Sequence, residues 1–186
     1  NSRSDQLKIK SELRVRFENR QKDADSDGDR DRLRTRFRLG GVWKNKSENW
    51  EVGAGLATGG DDPTSTNDTW SENKPFETGD IRLDYAYGKH KWNDMNFTAG
   101  QHFNPFKTTW IFWDSDVRFA GFTGSYEPDQ GFFATAGAYG ARYVDYSNEG
   151  NMAMLYAGQV GYKGTANDLK YTLAAGYHTY DQGFIN

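Results

Sequence analysis

The chain contains no cysteine, so neither a disulfide framework nor a thiolate metal site can contribute to its fold. It has only 4 prolines in 186 residues and no run approaching the roughly 18 apolar residues that a membrane-spanning helix needs. No secretory leader precedes Asn1, so we expect the mature form if the protein is exported. The net charge of −3 hides arginines concentrated on strands and aspartates in loops, unlike the general basic patch of a nucleic-acid binder. We therefore expect neither membrane helices nor a nucleic-acid partner.

The segment from Arg32 to Leu39 places an arginine at every second position, with mostly apolar residues between. Side chains of a β-strand point alternately to opposite faces, so one face of this strand carries guanidinium groups and the other is mostly apolar. The same alternation recurs along nearly the whole chain and requires an oily environment on one side and a wet one on the other. A transmembrane β-barrel provides both, with lipid outside and a polar lumen inside.

We therefore predict an all-β fold in which residues 1–186 form one antiparallel transmembrane barrel domain, with the lipid bilayer as a partner. The lipid-facing side is predicted to include Leu33, Phe37, Leu39, Val52 and Leu56. A soluble lipocalin-like barrel would instead place its apolar face inward and its arginines outward. A requirement for detergent during purification separates the two.

The pattern predicts about nine strands, because alternating segments are separated by polar, glycine-rich connections. These strands lie near residues 6–18, 32–43, 50–56, 81–87, 95–99, 117–126, 132–141, 152–162 and 169–180. The connections alternate between long (59–79, 103–116 and 142–151) and short, which is typical of outer-membrane barrels. Because a bacterial single-chain barrel closes with an even number of strands, we expect this chain to be the N-terminal portion of a longer barrel.

Aromatic residues lie beside the short turns, where amphipathic rings would form an interfacial girdle. They are Trp43, Trp50, Tyr87, Trp92, Tyr162 and Tyr171. The alternative is that strands simply favour aromatic residues.

Three segments resemble the putative porin family of Gram-negative outer membranes. They are R-L-R-T-R-F-R-L-G, G-A-G-L-A-T-G-G-D-D-P-T-S-T-N, and G-Q-H-F-N-P-F followed by W-D-S-D-V-R-F-A-G. The similarity covers most of the chain. It implies a water-filled, homotrimeric barrel of around 16 strands when complete, located in the bacterial outer membrane. The function it implies is passive diffusion of small hydrophilic solutes or ions, with no enzymatic step.

The predicted pore-lining residues lie on the charged face, where arginine exceeds acid on the first two strands and therefore suggests anion preference. They are Glu12, Arg14, Arg16, Arg32, Arg34, Arg36, Arg38 and Asp84. The alternative is a salt-bridged wall, in which carboxylates offset the arginines and merely stiffen the barrel. The carboxylates considered for that role are Glu12, Glu18, Glu51 and Asp84.

The connection at residues 103–116 corresponds to the third outer loop, which in general porins folds into the lumen and narrows it. It carries Asp114 and Asp116 after the apolar cluster of Trp110, Ile111, Phe112 and Trp113. Exposing such a cluster is costly, so we expect the loop to pack against the barrel wall. Its aspartates could then face Arg14, Arg16, Arg34 and Arg36 across the water. The alternative is a loop packed over the rim or a neighbouring subunit.

The acidic loop between the first two strands resembles the start of a calcium site, with Asp23, Asp25, Asp27 and Asp29 at alternate positions. The full calcium-loop pattern needs a glutamate at its twelfth position, where Arg34 stands. The alternative is a solvated acidic turn in which glycine takes the positive φ. We expect no other cofactor.

Two further function classes remain open on the sequence. An enzyme would need a nucleophile and base beside His90, His102 or His178, and no serine is placed to supply that pattern. A structural barrel could instead form a sheath around a partner such as an electron-carrying protein, although no C-x-x-C-H haem motif is present.

Overall fold

A computed structural model describes residues 6–21, 30–45, 47–109, 111–146 and 149–181. It contains nine long strands, near the positions that the alternation predicts, and a two-residue strand, β4, within the connection at residues 59–79. The strands are β1 (Leu7–Arg20), β2 (Arg30–Asn45), β3 (Trp50–Thr58), β4 (Asp68–Thr69), β5 (Ile81–Trp92), β6 (Met95–His102), β7 (Phe119–Tyr126), β8 (Gly131–Tyr146), β9 (Glu149–Ala166) and β10 (Leu169–Tyr180). Within the described ranges, no helix is long and apolar enough to cross a membrane.

The strands form one antiparallel sheet in which each long strand pairs with its neighbours in sequence. β4 pairs with β2 at Arg34 and Thr35, just beyond the end of the β2–β3 pairing at Arg38. In the described part of the chain, β1 and β10 stand at opposite ends of the sheet and do not pair, so the sheet is not closed. The predicted all-β antiparallel fold is confirmed.

One face of the sheet exposes large apolar side chains, whereas the other face is largely covered. On β3, Val52 and Leu56 are 49% and 45% exposed, whereas Gly53 and Ala57 are buried. On β8, Phe132 is 75% exposed. A water-soluble sheet would bury these apolar residues to remove them from water. This inverted pattern therefore matches a sheet whose apolar face meets lipid.

A bulge in β5 changes which residues share a face. Tyr85 and Leu83 pair with the consecutive residues Gly55 and Leu56, so Asp84 is an extra residue in the strand. Ile81, Leu83, Tyr85 and Tyr87 stand at alternate positions and would share a face in a regular strand. The bulge instead leaves Leu83 exposed on the apolar face and turns Tyr87 towards Glu51 on the charged face. The placement of Tyr87 in the aromatic girdle is therefore wrong.

The positions of the other predicted girdle residues are consistent with a location on the apolar face of the sheet. Trp43 is paired with Val52, Trp50 with His90 and Trp92 with Met95, all on the apolar side. Tyr162 and Tyr171 stack with ring centroids 6.4 Å apart beside the β9–β10 turn. These aromatic side chains lie at the ends of their strands next to the short turns.

The connections differ from the predicted lengths at one place. β8 continues to Tyr146 and β9 begins at Glu149, so most of residues 142–151 continue the strand pair. The predicted long loop there is wrong, because β8 and β9 remain paired with each other beyond the ends of their neighbours β7 and β10. The short turn between β9 and β10 consists of Asn167 and Asp168, both with positive φ (47° and 65°). Two such residues form the two-residue hairpin turn whose twist matches its flanking strands.

Candidate functional site

Six arginines cluster on the charged face of β1 and β2, and we call this cluster the arginine face. It comprises Arg14, Arg16, Arg32, Arg34, Arg36 and Arg38. The strand register brings Arg14 directly opposite Arg36 and Arg16 directly opposite Arg34. Because like charges directly opposite each other destabilise a sheet, other groups must hold these side chains in place.

Carboxylates on the same two strands supply part of that compensation. Glu18 lies 2.6 Å from Arg16 and 2.5 Å from Arg32, and Glu12 forms an ion pair with Arg36. Glu18 also lies 3.9 Å from Arg34. These contacts agree only in part with the alternative of a salt-bridged wall, because two carboxylates on these strands form ion pairs with four arginines.

The β3–β5 loop, residues 59–80, adds neutral hydrogen-bond acceptors to the arginine face. The side-chain oxygen of Asn67 accepts a 2.6 Å hydrogen bond from Arg14, and its backbone oxygen accepts one of 3.4 Å from Arg34. The hydroxyl oxygen of Thr66, fully buried, accepts a hydrogen bond of 2.6 Å from Arg38. Through these contacts the loop orients three guanidinium groups with neutral oxygen atoms.

The β6–β7 loop, residues 103–118, folds across the same face of the sheet. Asp116 forms a 2.6 Å ion pair with Arg38. Phe106 and Trp113 pack against Phe119, which belongs to a buried cluster with Tyr139 and Leu155 on the charged face. Of the predicted apolar cluster, Trp113 packs against the wall, whereas Ile111 and Phe112 are 71% and 78% exposed. The loop covers part of the charged face, but the packing expected for the whole cluster is wrong for these two residues.

Lys107, five residues after the end of β6, shows how far this loop reaches along the sheet. Its ammonium group lies 2.5 Å from Glu127, which directly follows β7 at the short-turn end of the sheet. Its backbone N–H donates to the side chain of Gln159, whose amide donates back to the Lys107 carbonyl oxygen, both at 2.8 Å. The loop starts at the long-loop end of β7 and reaches the opposite end, so it runs the length of that strand.

Glu127 contacts two lysines at the short-turn end of the sheet, because Lys163 of β9 also lies 3.0 Å from it. Burial alone would raise the pKa of Glu127, but the hydrogen bonds from Lys107 and Lys163 outweigh burial and hold the pKa below its ordinary value of 4.5. The carboxylate is therefore a charged tether between the loop, β7 and β9.

The remaining predicted site residues take different positions. Asp84, 5% exposed, forms a 3.0 Å ion pair with Arg118 at the end of the β6–β7 loop and does not contact the arginine face. Glu51, considered as a counter-charge for the arginines, lies 2.6 Å from Lys44 instead. Asp114 accepts a 2.7 Å hydrogen bond from the backbone N–H of Asp116 and so shapes the loop itself. Of the two aspartates, only Asp116 is joined to one of the six arginines.

The four aspartates of the suggested calcium loop, Asp23, Asp25, Asp27 and Asp29, lie outside the described residues, as does Trp110. Within the ranges that the structure describes, no three histidine or carboxylate side chains are grouped so that they could hold a metal ion.

The histidines considered for catalysis lie in structural surroundings. The His102 Nε2 atom lies 3.1 Å from the Thr123 hydroxyl, which is 2.7 Å from the Tyr139 hydroxyl. All three side chains are buried, so a solute cannot reach the Thr123 oxygen as a nucleophile requires. His178 contacts the Trp113 ring and His90 contacts the Trp50 ring. These contacts favour packing roles.

Five residues that hold the site together were not predicted from the sequence: Asn67, Lys107, Glu127, Gln159 and Arg118. Gln159 offered a weak signal, because it is a polar amide facing the charged side between Ala157 and Gly161 on β9. The pairing of Lys107 with Glu127 joins groups 20 positions apart through the path of a loop, which no local pattern encodes.

An antiparallel sheet with an exposed apolar face and a charged face covered by a folded loop belongs to the class of membrane β-barrel proteins. The family model described as "Putative porin" matches residues 5–183, nearly the whole chain, and the chain belongs to that family. Membership supports a porin-like channel role in an outer membrane, as opposed to an enzymatic one. Searches among curated proteins and among solved structures found no match.

Proposed function

We propose that the protein forms the wall of a water-filled outer-membrane channel for small hydrophilic solutes, and that the arginine face lines its lumen. Diffusion through such a channel is passive and needs no cofactor. The excess of arginine over carboxylate on this face favours anions, because fixed charge in a narrow aqueous path raises the local concentration of ions of opposite sign.

The path of the β6–β7 loop is the observation that supports this assignment most strongly. It lies on the charged face and is held at one end by the Arg38–Asp116 pair and at the other by the Lys107–Glu127 pair. The opposite face carries exposed apolar residues such as Leu56 and Val160. A loop on the lumen side narrows the path for solutes, whereas lipid on the other side accommodates the apolar residues.

Liposome swelling tests the channel directly. Vesicles containing the full-length protein should swell in small sugars at rates that fall with sugar size and do not saturate with concentration. Protein-free vesicles and vesicles with heat-unfolded protein are the controls. If the assembled protein seals the vesicles against the smallest sugar, the channel is refuted and a structural sheath becomes the better explanation.

A further inference from the structure

The arginine face carries more positive charge than its ion-pair partners balance. In the part of the chain that the structure describes, its six arginines make ion pairs with three carboxylates: Glu12, Glu18 and Asp116. No ion pair joins Arg14 to a carboxylate there, and Arg14 donates instead to the amide oxygen of Asn67. The face therefore keeps an excess of positive charge.

The hydrogen bonds of these arginines are also incomplete. Arg14, Arg16, Arg34 and Arg36 each have a buried Nε atom without a hydrogen-bond acceptor. These four are also the members of the two cross-strand arginine pairs. Repelling charges cost free energy, and an anion bound between the guanidinium groups would reduce that cost.

The β3–β5 loop holds these side chains in a way that suits a ligand. Asn67 accepts hydrogen bonds from Arg14 on β1 and from Arg34 on β2, so it ties the two guanidinium groups together. Ser65 accepts a further hydrogen bond of 3.4 Å from Arg34. Carboxylates at these positions would have neutralised the site, whereas neutral oxygens fix its geometry and leave its charge available.

We propose that Arg14, Arg34 and Arg36 form a binding site for oxyanions with two or more negative charges. Guanidinium groups present pairs of N–H donors that match the oxygens of carboxylates and phosphates. Two such groups on adjacent strands bind a divalent anion more tightly than chloride, which has a single charge and no fixed geometry. The proposal rests on the proposed function in so far as the arginine face must be open to the aqueous path.

Block of the chloride current through single channels tests this site. Pyrophosphate and succinate, added separately, should each reduce the current with saturable concentration dependence, and comparing them distinguishes phosphate from dicarboxylate chemistry. Arg14→Gln should weaken the block by about tenfold, as expected for loss of one charge-assisted hydrogen bond. Arg14→Lys keeps the charge but loses the planar fork, so its block should be intermediate.

Lys89→Gln is the matched control, because Lys89 lies on the charged face of β5, opposite Glu51 and away from the arginine face. It removes the same charge and should leave the block unchanged. An equal loss of block in Lys89→Gln would show that only the overall field acts, and would overturn the site. A conducting channel that neither anion blocks would also overturn it while leaving the proposed channel intact.

Thermal unfolding in detergent gives a second readout that does not need conduction. A ligand that binds only the folded state raises its unfolding temperature. Pyrophosphate should therefore raise the temperature at which the wild-type folded band is lost on gels, compared with chloride at equal ionic strength. If Arg14→Gln does not assemble, Arg34→Gln replaces it, and absence of any pyrophosphate shift in the wild type refutes the site.

Discussion

The ring of Tyr87 lies across Gly53 on the neighbouring strand, and its hydroxyl group donates a 2.7 Å hydrogen bond to Glu51. A Cβ atom at Gly53 would lie 2.5 Å from the Tyr87 Cε1 atom. Tyr85 covers Gly55 in the same way. Glycines on β3 thus provide the space in which large rings lie flat against the charged face.

Gly53→Ala should destabilise the sheet by about 1–3 kcal/mol, because the added methyl group forces the Tyr87 ring out of its position. The measurement is the temperature at which the folded form is lost on gels in detergent. Gly88→Ala is the control, because a Cβ atom there would meet nothing within 4 Å. Equal unfolding temperatures for the two variants would contradict the packing of Tyr87 on Gly53.

Phe37→Arg should impair membrane assembly. Phe37 alternates with Arg36 and Arg38 on β2 and so points to the apolar face, where a charge at mid-depth in lipid costs about 2–4 kcal/mol. Phe37→Leu keeps an apolar side chain and should assemble normally. The measurement is the fraction of protein that inserts into lipid vesicles and resists urea extraction, and normal insertion of Phe37→Arg would argue against this facing.

Replacing Arg34 and Arg36 together with glutamine should move the reversal potential under a salt gradient towards cation preference. Two positive charges are lost, and Glu12 loses its partner Arg36. Screening shortens the reach of charge from about 30 Å at 0.01 M salt to about 3 Å at 1 M, so the wild-type anion preference should shrink as salt rises. Lys74→Gln in the exposed β3–β5 loop is the control and should change little. An unmoved potential in the double variant would mean that these arginines do not face the ion path.

Acidification should loosen the β6–β7 loop through Glu127. Its folded-state pKa lies below 4.5, so the two lysine contacts stabilise the folded loop above the ordinary carboxyl pKa. That stabilisation is lost as the pH falls through the lowered pKa and the carboxyl becomes neutral. Current fluctuations of single channels should therefore increase as the pH is lowered through that pKa. Glu127→Gln should show the larger fluctuations already at neutral pH and respond less to acid; a variant identical to the wild type at every pH would exclude the tether.

The strands follow from the sequence because alternation is local, and Arg32 to Arg38 show it without interruption. The positions of Tyr85 and Tyr87 do not follow, because one extra residue at Asp84 reverses the alternation and no residue type marks the bulge. Asp84 and Arg118 lie 34 positions apart, and Arg38 and Asp116 lie 78 apart. Such pairs depend on how a loop returns across the sheet, which the periodicity of neighbouring residues does not specify.

The bulge at Asp84 also shows how a residue can be inserted into such a strand without disturbing its two faces. Asp84 is an additional residue on β5, yet the residues before and after it keep their proper faces, since Leu83 still points outward and Tyr85 inward. A single-codon insertion at a bulge can therefore add a charged group to the inner side without altering the hydrophobic exterior. Insertions at such a bulge and point substitutions can therefore change one side of this sheet without altering the other.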